Sequence, residues 1–225
     1  RDGGPLHMWH DPEAFEFWRS VGFGICRFLE DNRTPAAVAS ACDVIQDVAD
    51  AARQTGEANI ATMALAARSR IQIDYARDFG AAVATAVSMG PFDDSVDVRV
   101  AAFGQHALGN AHRCTGAIAP AAEAYQRALE LWPNVCTSER AETMFMLAVC
   151  LGRMAAYEEA YDRAKEAADL YLRCAPSLGQ LSSVHGHLEA ANLALHGLSL
   201  TKALRPLIRA HALLEKDHRR APEWV

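Results

Sequence analysis

The chain has 225 residues, 51% of them hydrophobic and 22% charged, with a formal charge of -6. That length can bury a sizeable core without outside staples, and the composition excludes wholesale disorder. The acidic balance gives no general attraction to phosphate backbones, so this segment is expected to contact no nucleic acid.

Residues 1–10, "RDGGPLHMWH", read as a flexible lead-in and lack the apolar core of a secretion signal. A helix is predicted over 11–31, with Asp11 as its cap and Pro12 in its first turn, although Gly22 and Gly24 weaken its middle. Thr34-Pro35 repeats the start signal for a helix to about residue 54. Gly56 separates it from a helix over about 57–75, and "DFGAAVATAVSMGP" carries a shorter one to about 89, closed by Gly90-Pro91. Further helices are predicted over roughly 95–113, 117–131, 138–152, 155–173, 178–196 and 199–217. No segment alternates as a strand would. The expected fold is therefore all-α, ten helices forming about five antiparallel hairpins in one domain over 11–217, with 218–225 as a tail.

The hairpins carry an internal repeat. Ala37, Ala82, Ala121, Ala160 and Ala203 fall 45, 39, 39 and 43 residues apart. Four residues later stand Ala41, Ala86, Tyr125, Ala164 and Leu207, and three further on Val44, Met89, Ala128, Ala167 and Ala210. A small residue recurring at that offset lets two helix axes approach, while a larger one behind it fills the gap to the next unit. Hairpins stacked in one dimension have this signature.

In "ALGNAHRCTGAIAPAAEAYQRALELWP", residues 107–133, Leu108-Gly109, Ala121, Tyr125, Ala128 and Pro133 match in type and offset the signature of a tetratricopeptide (TPR) repeat. The chain resembles that family most strongly over 102–133 and more loosely over 141–172, where Leu147, Ala148, Tyr157, Ala160, Ala164 and Ala167 stand without the glycine and the closing proline. The resemblance implies a right-handed superhelix whose first helices line a concave wall. Its spacings exceed the usual ~34 residues, so irregular curvature is expected. In bacterial regulators such repeats often follow a DNA-binding or nucleotide-switch domain and receive a peptide, protein or small effector.

On that resemblance the wall candidates are Asp74, Tyr75, His106, Asn110, Arg113, Phe145, Arg153, His185, Asn192 and His196. Asn110 and Asn192 take the position from which many family members bind a peptide backbone; an amide suits this because it both donates and accepts. Arg113 and Arg153 offer bidentate geometry to a carboxylate. The family's variety that clamps a terminal carboxylate needs inward lysines. Here His106 stands before Asn110 and no lysine precedes Lys165, so the clamp is not carried over.

Catalytic signals are weak. His211, Glu215 and His218 share a face of the last helix but lack a fourth ligand, and Arg219 and Arg220 would repel a cation, so neither metal nor cofactor is expected. No phosphate-cradling glycine loop or nucleophile elbow is present. The acidic ridge Glu158, Glu159, Asp162, Glu166 and Asp169 reads as a hydrated outer face.

Cys26, Cys42, Cys114, Cys136, Cys150 and Cys174 form no C-x-x-C pair and read as reduced, small apolar residues in a cytoplasmic protein. No apolar run approaches membrane-spanning length. The first expectation is a non-enzymatic regulatory module that binds a protein or peptide in the concave groove of the superhelix. The alternative is a small-molecule sensor or enzyme with Tyr75, His106, Arg113, Phe145, His185 and His196 around a pocket. Self-association, as a homodimer, is a third; "FEFW" at 15–18 is its candidate patch.

Overall fold

A computed structural model describes residues 12–92, 95–132, 137–174 and 179–218. These form ten α-helices and no strand: α1 (Pro12–Asp31), α2 (Pro35–Gln54), α3 (Ala58–Ile71), α4 (Phe79–Val87), α5 (Val98–Cys114), α6 (Ile118–Leu131), α7 (Ser138–Arg153), α8 (Tyr157–Cys174), α9 (Gly179–Gly197) and α10 (Leu200–His218). Every predicted helix is present, with ends within a few residues of those read from the sequence. One departure follows α3, which continues into a widened π turn, Gln72–Ala76, before Arg77 leaves it at a left-handed φ of 57°. The expected cap at Asp11, the lead-in at 1–10, Pro133, Cys136 and the tail beyond residue 218 lie outside the described residues.

Starts are set by side-chain caps. Thr34 accepts from the Ala37 amide at 3.2 Å, Asp78 from Ala81 at 2.9 Å, Asp97 from Arg99 at 2.9 Å and Thr137 from Arg140 at 3.2 Å. Each satisfies one amide that the helix leaves unpaired.

The chain divides into two compact units, Arg1–Pro133 and Asn134–Val225. In the first, the end of α2 and the end of α5 close in the same way. Gly56 (φ 77°) donates to Arg53 O at 3.2 Å and Glu57 to Ala52 O at 2.8 Å. Gly116 (φ 82°) donates to Arg113 O at 3.1 Å and Ala117 to His112 O at 3.0 Å. These are left-handed C-terminal closures of the Schellman type. The second unit repeats the closure after α7, with Ala155 (φ 61°) in place of glycine and Ala156 donating to Leu151 O at 2.9 Å.

This shared turn corrects the repeat register at the N-terminal end. Counted from the left-handed residue, Ala61 and Leu65 of α3 occupy the places of Ala121 and Tyr125 in α6 and of Ala160 and Ala164 in α8, and all six are buried. Hence α2 and α3 form the hairpin, with α2 in the role of first helix. The buried face of α2 is Val38, Ile45, Ala49 and Ala52, whereas Val44 is 57% exposed. Small residues are so frequent in α2 that spacing alone does not choose its face; the turn does.

Helix α1 packs elsewhere than in a hairpin with α2. Phe15 makes edge contacts with Phe103 at 6.1 Å and Trp132 at 6.3 Å, in a core shared with Met63, Val100, Ala102 and Ala128. Further along, Cys26 and Leu29 join a second core with Ile45, Leu65, Ile71 and Ala86. Tyr75 fastens this end by donating its phenol proton to the Cys26 carbonyl at 2.7 Å.

In the second unit, α8 and α9 approach closely at Gly186, where a Cβ would lie 2.9 Å from that of Ala168. Ala148, Ala160, Ala164, Ala190, Ala191, Ala194 and Ala203 surround Tyr161 and Leu193 in its core. One expectation about this unit fails. Cys26, Cys42, Cys114 and Cys150 carry thiols, but Cys174 is disulfide-bonded. Sequence spacing does not report which cysteines the fold brings together.

Candidate functional site

The candidate residues fall five in each unit. In the first, α5 and α6 hold the best-defined polar group. Gly109 lets α6 press against α5: a Cβ there would lie 2.6 Å from the Tyr125 ring. Tyr125, fully buried, then donates its phenol proton to Asn110 Oδ1 at 2.7 Å. Asn110 Nδ2 lies 2.9 Å from His106 Nε2, which accepts if the ring carries its proton on Nδ1. His106 is buried and packs between Phe103, at 6.5 Å and nearly parallel, and Tyr125 at 5.6 Å. The amide of Asn110 is thereby held in one orientation. One of its N–H bonds and one lone pair remain for something else, and the residue is half-buried beside half-buried Arg113.

Asp74 and Tyr75 lie in the π turn after α3, the second helix of its hairpin, and not on a first helix. Asp74 is exposed and pairs with Arg70 at 3.3 Å. Tyr75 is engaged with Cys26, its ring lies 5.8 Å from the Arg33 guanidinium, and burial pushes its phenol up from the usual range. Tyr75 thus ties the π turn to α1, while the Asp74 pair is local and exposed.

The second unit presents a different surface. Phe145 is half-buried on α7, and Arg153 is exposed in that helix's last turn. On α9, His185, Asn192 and His196 are all exposed, and their spacing of seven and four puts them on one stripe. Interleaved with them are three leucines that sequence reasoning passed over: Leu181, Leu188 and Leu195 are 59%, 43% and 56% exposed. The same helix buries two polar side chains. Ser183 and His187 are 0% and 5% exposed, and among the described residues neither Ser183 Oγ nor either ring nitrogen of His187 has a hydrogen-bond partner. Burial holds the His187 imidazole below its ordinary range, against the pull of Asp169 and with the push of Arg209 and Lys165. So α9 is partly inverted, with leucines outward and polar groups inward. The signal was legible as leucine recurring every seven residues, but an alanine-rich helix gives no prior reason to expect leucine outside.

Chemically this surface can bury apolar side chains and hydrogen-bond a backbone. Among the described residues no group of three or more His, Cys, Asp or Glu side chains could hold a metal ion, and His218 lies beyond the described side chains. Nor is any described helix long and apolar enough to cross a membrane.

No protein-family model matches the chain, and no curated protein sequence does. Solved structures give the counterparts. BtubC (BKLC) from P. vanneervenii superposes with a TM-score of 0.65 at 16% identity, covering 80% of this chain and 72% of that one. Two structures of a putative kinesin light chain from Podosopora anserina, with nearly identical TPR-like repeats, give TM-scores of 0.64 and 0.63. Each is 16% identical and covers 89% of this chain and 96% of its own. At that identity the likeness is one of fold, and the fold resembles TPR-like repeat proteins: paired helical hairpins, all-α among the described residues.

Proposed function

We propose that the chain is a non-enzymatic module that binds a protein or peptide, and that α9 supplies the principal contact surface. The carrying observation is the outward stripe Leu181, His185, Leu188, Asn192, Leu195. Leucine at every seventh position, alternating with an imidazole and an amide, suits an amphipathic segment whose apolar residues recur every third or fourth place. Leu181, Leu188 and Leu195 would bury those side chains; Asn192 would pair with the partner's polar groups. His185, His196 and Arg153 lie where an acidic flank would be received. Asn110, fixed by His106 and Tyr125, with Arg113 beside it, is a second contact point on the first unit.

Peptides selected from a random library on the purified chain test this reading. Selected peptides should carry apolar residues at helical spacing and lose at least about tenfold in affinity on Leu188→Asp. Asn192→Ala should weaken them by roughly 0.5–1.5 kcal/mol. Undiminished binding by both variants removes α9 from the interface.

The cytoplasm is the proposed compartment, favoured by the thiols at Cys26, Cys42, Cys114 and Cys150, with the Cys174 disulfide as the one feature against it. Alkylation in intact cells decides: modification of Cys174 before any reductant is added would mean that the bond is absent there.

A further inference from the structure

Helices α1 and α10 each carry an outward apolar stripe that no described residue covers. On α10, Leu200, Leu204, Leu207 and Leu214 recur at intervals of four, three and seven, with Ile208 beside them. They are 66%, 50%, 37% and 40% exposed, and Ile208 is 68% exposed. The buried side of α10 runs through Ala203, Pro206 and Ala210. On α1, Phe17, Val21, Gly24 and Phe28 recur at intervals of four, three and four and all are exposed, Phe17 by 61% and Phe28 by 59%. At Gly24 an added Cβ would meet nothing within 4 Å, so the stripe has a notch at its centre. Spacings of four and three are those by which two helices interlock knobs into holes.

The charges beside the two stripes differ in sign. α1 carries Glu13, Glu16, Glu30 and Asp31 against Arg19 and Arg27, and Arg19 is already paired with Glu16 at 2.7 Å. α10 carries Lys202, Arg205, Arg209 and Lys216 against Glu215 and Asp217. Lys202 is tied to Glu158 at 2.6 Å, while Arg205 and Arg209 stand exposed next to Leu204 and Ile208. Two α10 stripes would bring like charges together, and so would two α1 stripes; α10 against α1 brings opposite ones together.

We propose that copies of this chain associate head to tail, the α10 stripe of one copy packing on the α1 stripe of the next. Ile208 of one copy enters the Gly24 notch of the other, and the basic helix is set against the acidic one. Such a contact joins two different surfaces, and each copy carries both of them. The stripes are on α1 and α10, and the association does not depend on the function proposed for α9.

Sedimentation velocity over a concentration series, with Phe17→Asp and Ile208→Asp, tests it. Both residues are among the most exposed of their helices, and circular dichroism and melting should match the parent. The parent chain is expected to associate as its concentration rises. Each variant alone should stay monomeric, and an equimolar mixture of the two should form a one-to-one dimer and nothing larger, because each supplies the end the other lacks. A parent that stays monomeric throughout overturns the proposal. So does a dimer lost with Ile208→Asp but kept with Phe17→Asp, which would mean α10 pairing with itself, and so does a mixture that stays monomeric.

Discussion

Gly109 and Tyr125 explain each other. The ring sits where a Cβ would be, 2.6 Å from its ideal position, so Gly109→Ala must displace a buried aromatic. Overpacking of that kind costs about 1–3 kcal/mol, readable as a lower urea midpoint at unchanged slope. Tyr125→Phe keeps the ring and removes the hydrogen bond to Asn110, at roughly 0.5–1.5 kcal/mol. Its diagnostic readout is the side-chain amide of Asn110, whose NMR signals should lose their fixed environment while the helix content stays. The packing half of this pair was legible in the sequence, because a glycine inside a helical pattern needs a close neighbour to justify it. Its polar half was not. Asn110 read as a groove residue, and only three dimensions show that its carbonyl meets the Tyr125 hydroxyl and its amino group the His106 ring.

At the scale of the element, α9 is the helix whose buried and exposed faces fit its composition least well. Ser183 and His187 are enclosed without partners while Leu181, Leu188 and Leu195 face outward. His187 gives this a pH signature. Its folded-state pKa is held below the ordinary 6.5 by burial, opposed by Asp169 and assisted by Arg209 on α10 and Lys165 on α8. The unfolded chain therefore takes up the proton first as pH falls. The contribution is complete above about 6.5 and is lost as the pH drops from there toward the folded-state value. Urea midpoints measured across that window should fall with pH in the parent and fall less in His187→Leu. An equal slope in the variant would put the acid sensitivity elsewhere. Helix boundaries were legible throughout because caps such as Thr34, Asp97 and Thr137, and Gly56 and Gly116 at the closing turns, announce them. Partnership was less legible. That α2 pairs with α3 and not with α1 follows from the Gly56 closure, and α1 goes instead to Met63, Phe103 and Trp132.

For the molecule as a whole, a formal charge of -6 hides an uneven distribution: α1 is acidic and α10 basic. Association through these helices is therefore expected to weaken as salt rises, and Arg205→Glu with Arg209→Glu should weaken it at low salt, both visible as a shift in weight-average mass. The chain divides into two compact units that meet in sequence at Pro133 and Asn134. Repeat spacing carries no mark of that division, since alanines recur 39 residues apart on both sides of it. The closing turn offers one more consequence. Where Gly56 and Gly116 adopt left-handed backbone without strain, Ala155 holds it with a methyl group that disfavours it by about 1–2 kcal/mol. Ala155→Gly should accordingly raise the melting temperature of the second unit, even after glycine's greater freedom in the unfolded chain is counted. The natural sequence thus leaves a reserve of thermostability unused, reachable by removing a single methyl group from the turn between α7 and α8.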